Sequence, residues 1–213
     1  FLRKYGKGTL VGNDTYNRYL SDAARVRCSY SKRPQRELDM LVETFRKYGE
    51  QFDFDWMMLA AQAYQESGLR QNRKSPAGAA GIMQIKPSTA ADPNVGIDDI
   101  SAPGDNIRAG ARYMRFLMDR YFSADEIPDL QRWIFALAAY NAGPARIQRL
   151  RRQAEAEGYD PNMWLDNVEI IAARKIGRET VRYVRNVFKY YVAYQLAAEN
   201  REARQAVTAD AEQ

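Results

Sequence analysis

Apolar positions recur along most of this chain at steps of three and four residues, the spacing that puts them on one face of an α-helix. The first such run starts at Gln35, with Leu38, Leu41, Val42 and Phe45 in register and Gly49 as its expected stop. A second is expected from Asp53 or Asp55, either of which can cap it. It sets Trp56, Leu59, Ala60 and Ala63 on one face before Gly68 ends it. Small residues and turn formers fill Ser75 to Gly81, followed by Ile82 to Ile85 and a short helix from Pro87 to Ala91. Asp105 or Asn106 is the expected cap of a long helix carrying Ile107, Ala111, Met114, Met118 and Tyr121. Further helices are expected from Asp129 to Asn141 and from Pro144, since proline costs no hydrogen bond in a first turn. After Gly158 and Pro161 come two more, Val168 to Ile176 and Arg178 to Ala198, broken at Gly177. No window alternates Val, Ile, Thr and aromatic residues as a half-buried strand does, so the fold class is all-α.

Residues 1–34 are rich in Gly, Asn, Tyr and Arg, with weak periodicity, and read as an arm or linker. Residues 35–198 read as one folded domain, and 199–213 as a charged, Ala-rich tail that frays. The chain opens on Phe1 without an initiator Met, which suggests a piece of a longer precursor. At 213 residues and 46% hydrophobic, it has the material for one large core. No segment approaches the roughly 18 apolar residues of a membrane-spanning helix.

Composition then narrows the chemistry. There is no histidine, which excludes Ser-His-Asp and Cys-His nucleophile pairs, His-ligated zinc and a His general base. Cys28, the one cysteine, excludes an internal disulfide and any multi-Cys metal site, and is expected to be structural. Proton transfer must fall to Glu, Asp, Lys or Tyr. Lys and Arg total 32 against 27 Asp and Glu, a net charge of +5 that favours an anionic partner without choosing among nucleic acid, membrane surface and cell-wall polymer.

One carboxylate stands out. Glu66 follows Leu59, Gln62 and Ala63 on a single helical stripe, so its side chain is expected to point with the apolar face. Burial and the negative end of the helix dipole would both raise its pKa, as suits an acid that protonates a leaving oxygen. The plainer alternative is an exposed carboxylate at a helix end.

Three downstream segments keep Glu66-Ser67 company: Gly81-Ile82-Met83-Gln84, Ala138-Ala139-Tyr140-Asn141-Ala142-Gly143, and Glu179-Thr180-Val181-Arg182-Tyr183-Val184. In that order and spacing, over roughly Gln35 to Leu196, the chain resembles the family 1 lytic transglycosylases, bacterial enzymes that cut peptidoglycan. The resemblance implies a lysozyme-like helical domain with a glycan-binding groove, acting on the bond between N-acetylmuramic acid and N-acetylglucosamine. It implies that Glu66 is the single catalytic acid and base, with Ser67 beside it holding substrate or carboxylate. Ser75, Met83 and Gln84 fall to the groove, Tyr140 lies near the acid, Asn141 ties down that turn, and Glu179 and Tyr183 line the last helix. Lys86 departs from the pattern, since many relatives carry Met there. Each residue also has an ordinary reading: Tyr140 and Met83 as core, Asn141 to Gly143 as a helix stop, Glu179 as a favourable charge at a helix start.

The resemblance further implies peptidoglycan glycan strands as the partner, no nucleic acid, no cofactor and no metal. It implies a solute-binding-protein-like domain upstream and a periplasmic location at the outer membrane. Two alternatives stay open at this point: a goose-type muramidase that delivers water, and a silent helical module binding glycan or nucleic acid through basic faces such as Arg174, Lys175, Arg178, Arg182, Arg185 and Lys189.

Overall fold

A computed structural model describes residues 32–211, with side chains described over 36–199. Most of the expected arm and Cys28 lie outside the described residues. Eight α-helices follow one another within them: α1 Lys32–Gln51, α2 Trp56–Ser67, α3 Pro87–Ala90, α4 Pro103–Tyr121, α5 Asp129–Ala142, α6 Pro144–Ala156, α7 Glu169–Ile176 and α8 Glu179–Ala211. Among the described residues no strand forms, only two isolated antiparallel bridges, Lys74 with Ala80 and Ala80 with Ile85.

The all-α expectation holds, and the boundaries differ where tertiary contacts intervene. α1 contains Pro34 near its start, where a missing N–H breaks no helical bond. Gly49 does not stop α1. A Cβ at Gly49 would come within 2.9 Å of the Phe54 carbonyl oxygen, so glycine is needed for the chain to fold back at once. The start of α4 also differs from expectation: Ala102 precedes it, Pro103 opens it, and Asn106 is buried. Trp164–Val168 forms an irregular turn, with Asp166 at a positive φ, and delays α7 to Glu169. α8 continues past Ala198 to Ala211, because residues 199–211 are mostly strong helix formers without Gly or Pro.

α5 is buried on nearly every side from Trp133 to Ala139, and its neighbours assemble around it. Phe45, Leu59, Ile107, Met114, Leu117, Phe122, Phe135 and Trp164 are fully enclosed in the main core. Ile85, Ala90, Val95, Ile97, Ile100 and Ala109 make a smaller core beneath residues 85–100.

The packing of α2 matters most for the site. Asp55 caps α2, Oδ1 accepting from the Met57 N–H at 2.9 Å, and Gly68 closes it in the left-handed region. α8 crosses it in the opposite direction and binds it at both ends. Tyr191 donates to Asp55 Oδ2 at 2.9 Å, and Tyr183, two turns earlier, donates to Glu66 Oε1 at 2.6 Å.

Candidate active site

Glu66 occupies the last turn of α2, and the stripe beneath it (Leu59, Gln62, Ala63) is fully buried, as the helical spacing required. Burial pushes the Glu66 carboxyl up from its ordinary 4.5 to about 7, against the Tyr183 hydrogen bond and the Arg73 charge, which pull it down. Tyr183 is itself buried, and burial first, then the Glu66 charge, raises its phenol well above the ordinary value. Tyr183 is therefore a hydroxyl donor at any pH near neutral.

The loop 81–84 passes over the end of α2, held by side chains from four directions. Ser67 Oγ donates to the Ile82 carbonyl at 2.8 Å, and Gln71 Oε1 accepts from the Ile82 N–H at 3.2 Å. Asn106, from α4, accepts the Met83 N–H at 2.8 Å and donates to the Ala80 carbonyl at 3.0 Å. Tyr140, from α5, donates to the Met83 carbonyl at 2.8 Å. Ile82 and Met83 anchor the loop in the main core, and these bonds satisfy the backbone groups that go down with them. Gly81 has φ +79°, and a Cβ there would lie 2.2 Å from Asn106 Nδ2, so the motif's first glycine is a steric requirement.

The structure brings Glu66, Tyr183 and Tyr140 together. The charge of Glu66 contributes, after burial, to raising the Tyr140 phenol well above its ordinary value. Ser67 and Met83 lie beneath this surface. Ser67 is fully buried, its hydroxyl occupied by Ile82 and by the Arg70 N–H at 3.0 Å. Met83 is fully buried against Gly110, where an added Cβ would meet its side chain at 2.6 Å. Asn141 ties α5 to α8: its Oδ1 accepts from Thr180 Oγ1 at 2.8 Å. Gln84, at φ +47°, turns its amide to the Arg73 and Gly81 carbonyls at 3.1 and 2.9 Å. Ser75 Oγ accepts from the Ala79 N–H at 3.0 Å and closes the preceding turn. Glu179 is exposed at the start of α8, one turn before Tyr183. Lys86 is exposed before α3.

Five residues escaped sequence reasoning: Gln71, Arg73, Thr180, Asn106 and Gln62. Gln71, Arg73 and Thr180 act on other segments and leave no local signal. Asn106 reads as a helix cap, and Gln62 as one polar residue on an apolar stripe. The stripe was the signal that could have found Gln62, because a polar group there is enclosed. Among the described residues, no group of three or more Cys, Asp or Glu could hold a metal ion, and no helix is long and apolar enough to cross a membrane.

The family described as the transglycosylase SLT domain matches residues 43–163, more than half of the chain, including Glu66, the 81–84 loop and Tyr140. The chain is 34% identical over 186 residues to membrane-bound lytic murein transglycosylase F of Shewanella pealeana, with 81% of this chain and 36% of that protein covered. To the protein of the same name from Marinobacter nauticus it is 38% identical over 170 residues, with 74% and 33% covered. It spans about a third of the length of these curated relatives. Among solved structures it is similar to the lytic transglycosylase Slt of Pseudomonas aeruginosa, an inactive mutant, with a TM-score of 0.55 at 24% identity, covering 74% of this chain and 24% of that one. That likeness concerns the fold, which is all-α and lysozyme-like as the sequence resemblance implied. With more than half its length matched, and with the matched residues forming the loop and carboxyl just described, the chain belongs to the transglycosylase SLT domain family.

Proposed function

We propose that this domain is a peptidoglycan lytic transglycosylase that cuts the β-1,4 bond from N-acetylmuramic acid to N-acetylglucosamine and leaves a 1,6-anhydromuramyl end. The observation that carries this reading is a half-buried carboxyl, pushed to about 7, beside a loop whose backbone is held from four sides. Glycosidases ordinarily flank the bond with two carboxylates. Here one carboxyl serves twice. Tyr183 engages Oε1, so Oε2 is the oxygen offered to the substrate.

Protonated Glu66 gives its proton to the glycosidic oxygen as the bond to the muramyl anomeric carbon breaks. The 6-hydroxyl of the same sugar closes on that carbon and returns its proton to the Glu66 carboxylate. No water is consumed and the acid ends as it began. A tethered hydroxyl has a high effective concentration, so no separate water activator is required. Tyr183 supports the carboxylate between the two steps. Gln84, Tyr140, Asn141, Ser75 and Glu179 form and contact the groove around the sugars, while Ser67 and Met83 act from below by holding its floor. In the whole protein we place this domain at residues 35–198, between the arm and the tail, downstream of a solute-binding-protein-like domain. It works in the periplasm at the outer membrane, in keeping with the membrane-bound relatives.

The test is a digest of purified peptidoglycan, with fragments weighed before and after borohydride treatment. Ends inert to borohydride support the transglycosylase; reducing muramyl ends as the main product support a muramidase instead. A second expectation concerns Tyr140→Phe. Losing the bond to the Met83 carbonyl costs about 1 kcal/mol of stability. The loosened loop lowers turnover by about tenfold, because small misplacements of reacting groups are costly. A fall in melting temperature with unchanged specific activity would make Tyr140 a core residue only.

A further inference from the structure

Gln62 lies on α2 one turn before Glu66, on the face that enters the core, and it is completely buried. Its amide carries two N–H donors and a carbonyl acceptor. Neither Nε2 nor Oε1 has a hydrogen-bond partner of good geometry among the described residues. Leu59 and Ala63 flank it on the same stripe, so a Leu or Met at this position would bury apolar surface with nothing left unsatisfied. The chain instead keeps a costly polar group directly behind its reactive carboxyl.

What that amide faces is the Tyr183 hydroxyl. Its presence pulls the phenol's pKa down while burial and the Glu66 charge raise it. Tyr183 has one hydroxyl proton, and at 2.6 Å that proton goes to Glu66 Oε1. A donor on the far side of Tyr183 Oη would leave that proton no other direction and would strengthen the bond it makes. Catalytic hydrogen bonds are often imperfectly aligned before substrate is bound.

We propose that Gln62 is a positioning residue, which donates from Nε2 to Tyr183 Oη in the engaged site and so fixes the Tyr183 hydroxyl on Glu66. This rests on the reading of Glu66 as the acid and base. The groups facing Glu66 are Tyr183 from α8, Tyr140 from α5 and Arg73 from the segment after α2. Gln62 is uncharged and acts through Tyr183 alone. The Tyr183 bond favours the carboxylate and lowers the pKa of Glu66; weakening that bond by removing Gln62 lets burial push the pKa higher.

Gln62→Met keeps the length and fills the core, and Gln62→Leu serves as a second variant should the first fold poorly. The measurement is the Glu66 carboxyl titration by carbon-13 NMR, taken with the pH profile of turnover. The midpoint in the variant is expected to rise by about half a pH unit or more. Turnover should fall by about tenfold with KM within about twofold, while the melting temperature holds or rises because an unpartnered amide is gone. A Glu66 midpoint that stays put or moves down overturns the proposal, whatever happens to stability. Because the titration needs no substrate, it decides the role of Gln62 separately from the wild-type digest, which decides the reaction.

Discussion

Glu66→Gln is expected to abolish turnover and at the same time to stabilise the protein above neutral pH. The amide keeps the shape and still accepts from Tyr183, but it can neither give a proton to the leaving oxygen nor take one from the 6-hydroxyl. Each of those roles is worth about 10² to 10⁴ in rate. The stability change follows from the carboxyl's raised pKa. Below about pH 4.5 the carboxyl is protonated both folded and unfolded, and it costs the fold nothing. Between about 4.5 and 7 the unfolded chain ionises while the folded one resists, so stability falls as pH rises. Above about 7 the cost is complete, on the order of 3 kcal/mol as an upper bound. Gln removes that cost. Thermal melts should therefore coincide for wild type and variant at pH 4 and separate by roughly 5 °C or more at pH 8, the variant being higher. Retained activity above about a tenth of wild type would move the acid elsewhere, with Glu179 the first candidate.

The second large effect is expected at Asn106. Its side chain accepts from the Met83 N–H and donates to the Ala80 carbonyl at 3.0 Å and to the Ile100 carbonyl at 3.4 Å, joining both ends of the site loop to α4. Asn106→Leu fills much the same volume and strands the Met83 N–H and the Ala80 carbonyl, while the Ile100 carbonyl keeps the Gln71 amide at 2.9 Å. A stranded buried group costs about 1 to 3 kcal/mol, so a loss of roughly 3 kcal/mol or more is expected, near 10 °C in melting temperature. Because Tyr140 and Ser67 grip the same loop, the surviving folded protein should also turn over more slowly. A melting temperature within about 2 °C of wild type would show that the loop is held by its other bonds alone.

These two residues mark where sequence is informative and where it falls silent. Glu66 was legible because its position follows from local rules: Asp55 caps α2, Gly68 ends it, and a 3.6-residue period puts the carboxyl on the buried stripe. Tyr183 could be placed on the last helix by the motif around it. That its hydroxyl reaches Glu66, 117 residues earlier in the chain, belongs to the packing of α8 on α2. Gly49 and Asn106 were misread for one reason. Glycine and asparagine are both common helix-end residues, and only the fold reveals that one makes room for the Phe54 carbonyl and the other holds a loop. Ser67 shows the same limit, since its place in the motif beside Glu66 does not reveal that its hydroxyl faces inward to Ile82. The end of α8 was missed by trusting charge over propensity: residues 199–211 carry charges, but their helix formers sustain the helix to Ala211.

The proposed reaction rests on one carboxyl doing the work of two, with the sugar supplying its own nucleophile. The most direct measurement is a digest of purified peptidoglycan in oxygen-18 water, with the fragments weighed by mass spectrometry. Glu66 acting as sole acid and base predicts muramyl ends free of heavy oxygen and about 18 Da lighter than hydrolysis products, since closing the ring on the 6-hydroxyl expels no water and takes none up. Muramyl ends carrying the heavy label as the main product would contradict it, because they require water at the anomeric carbon.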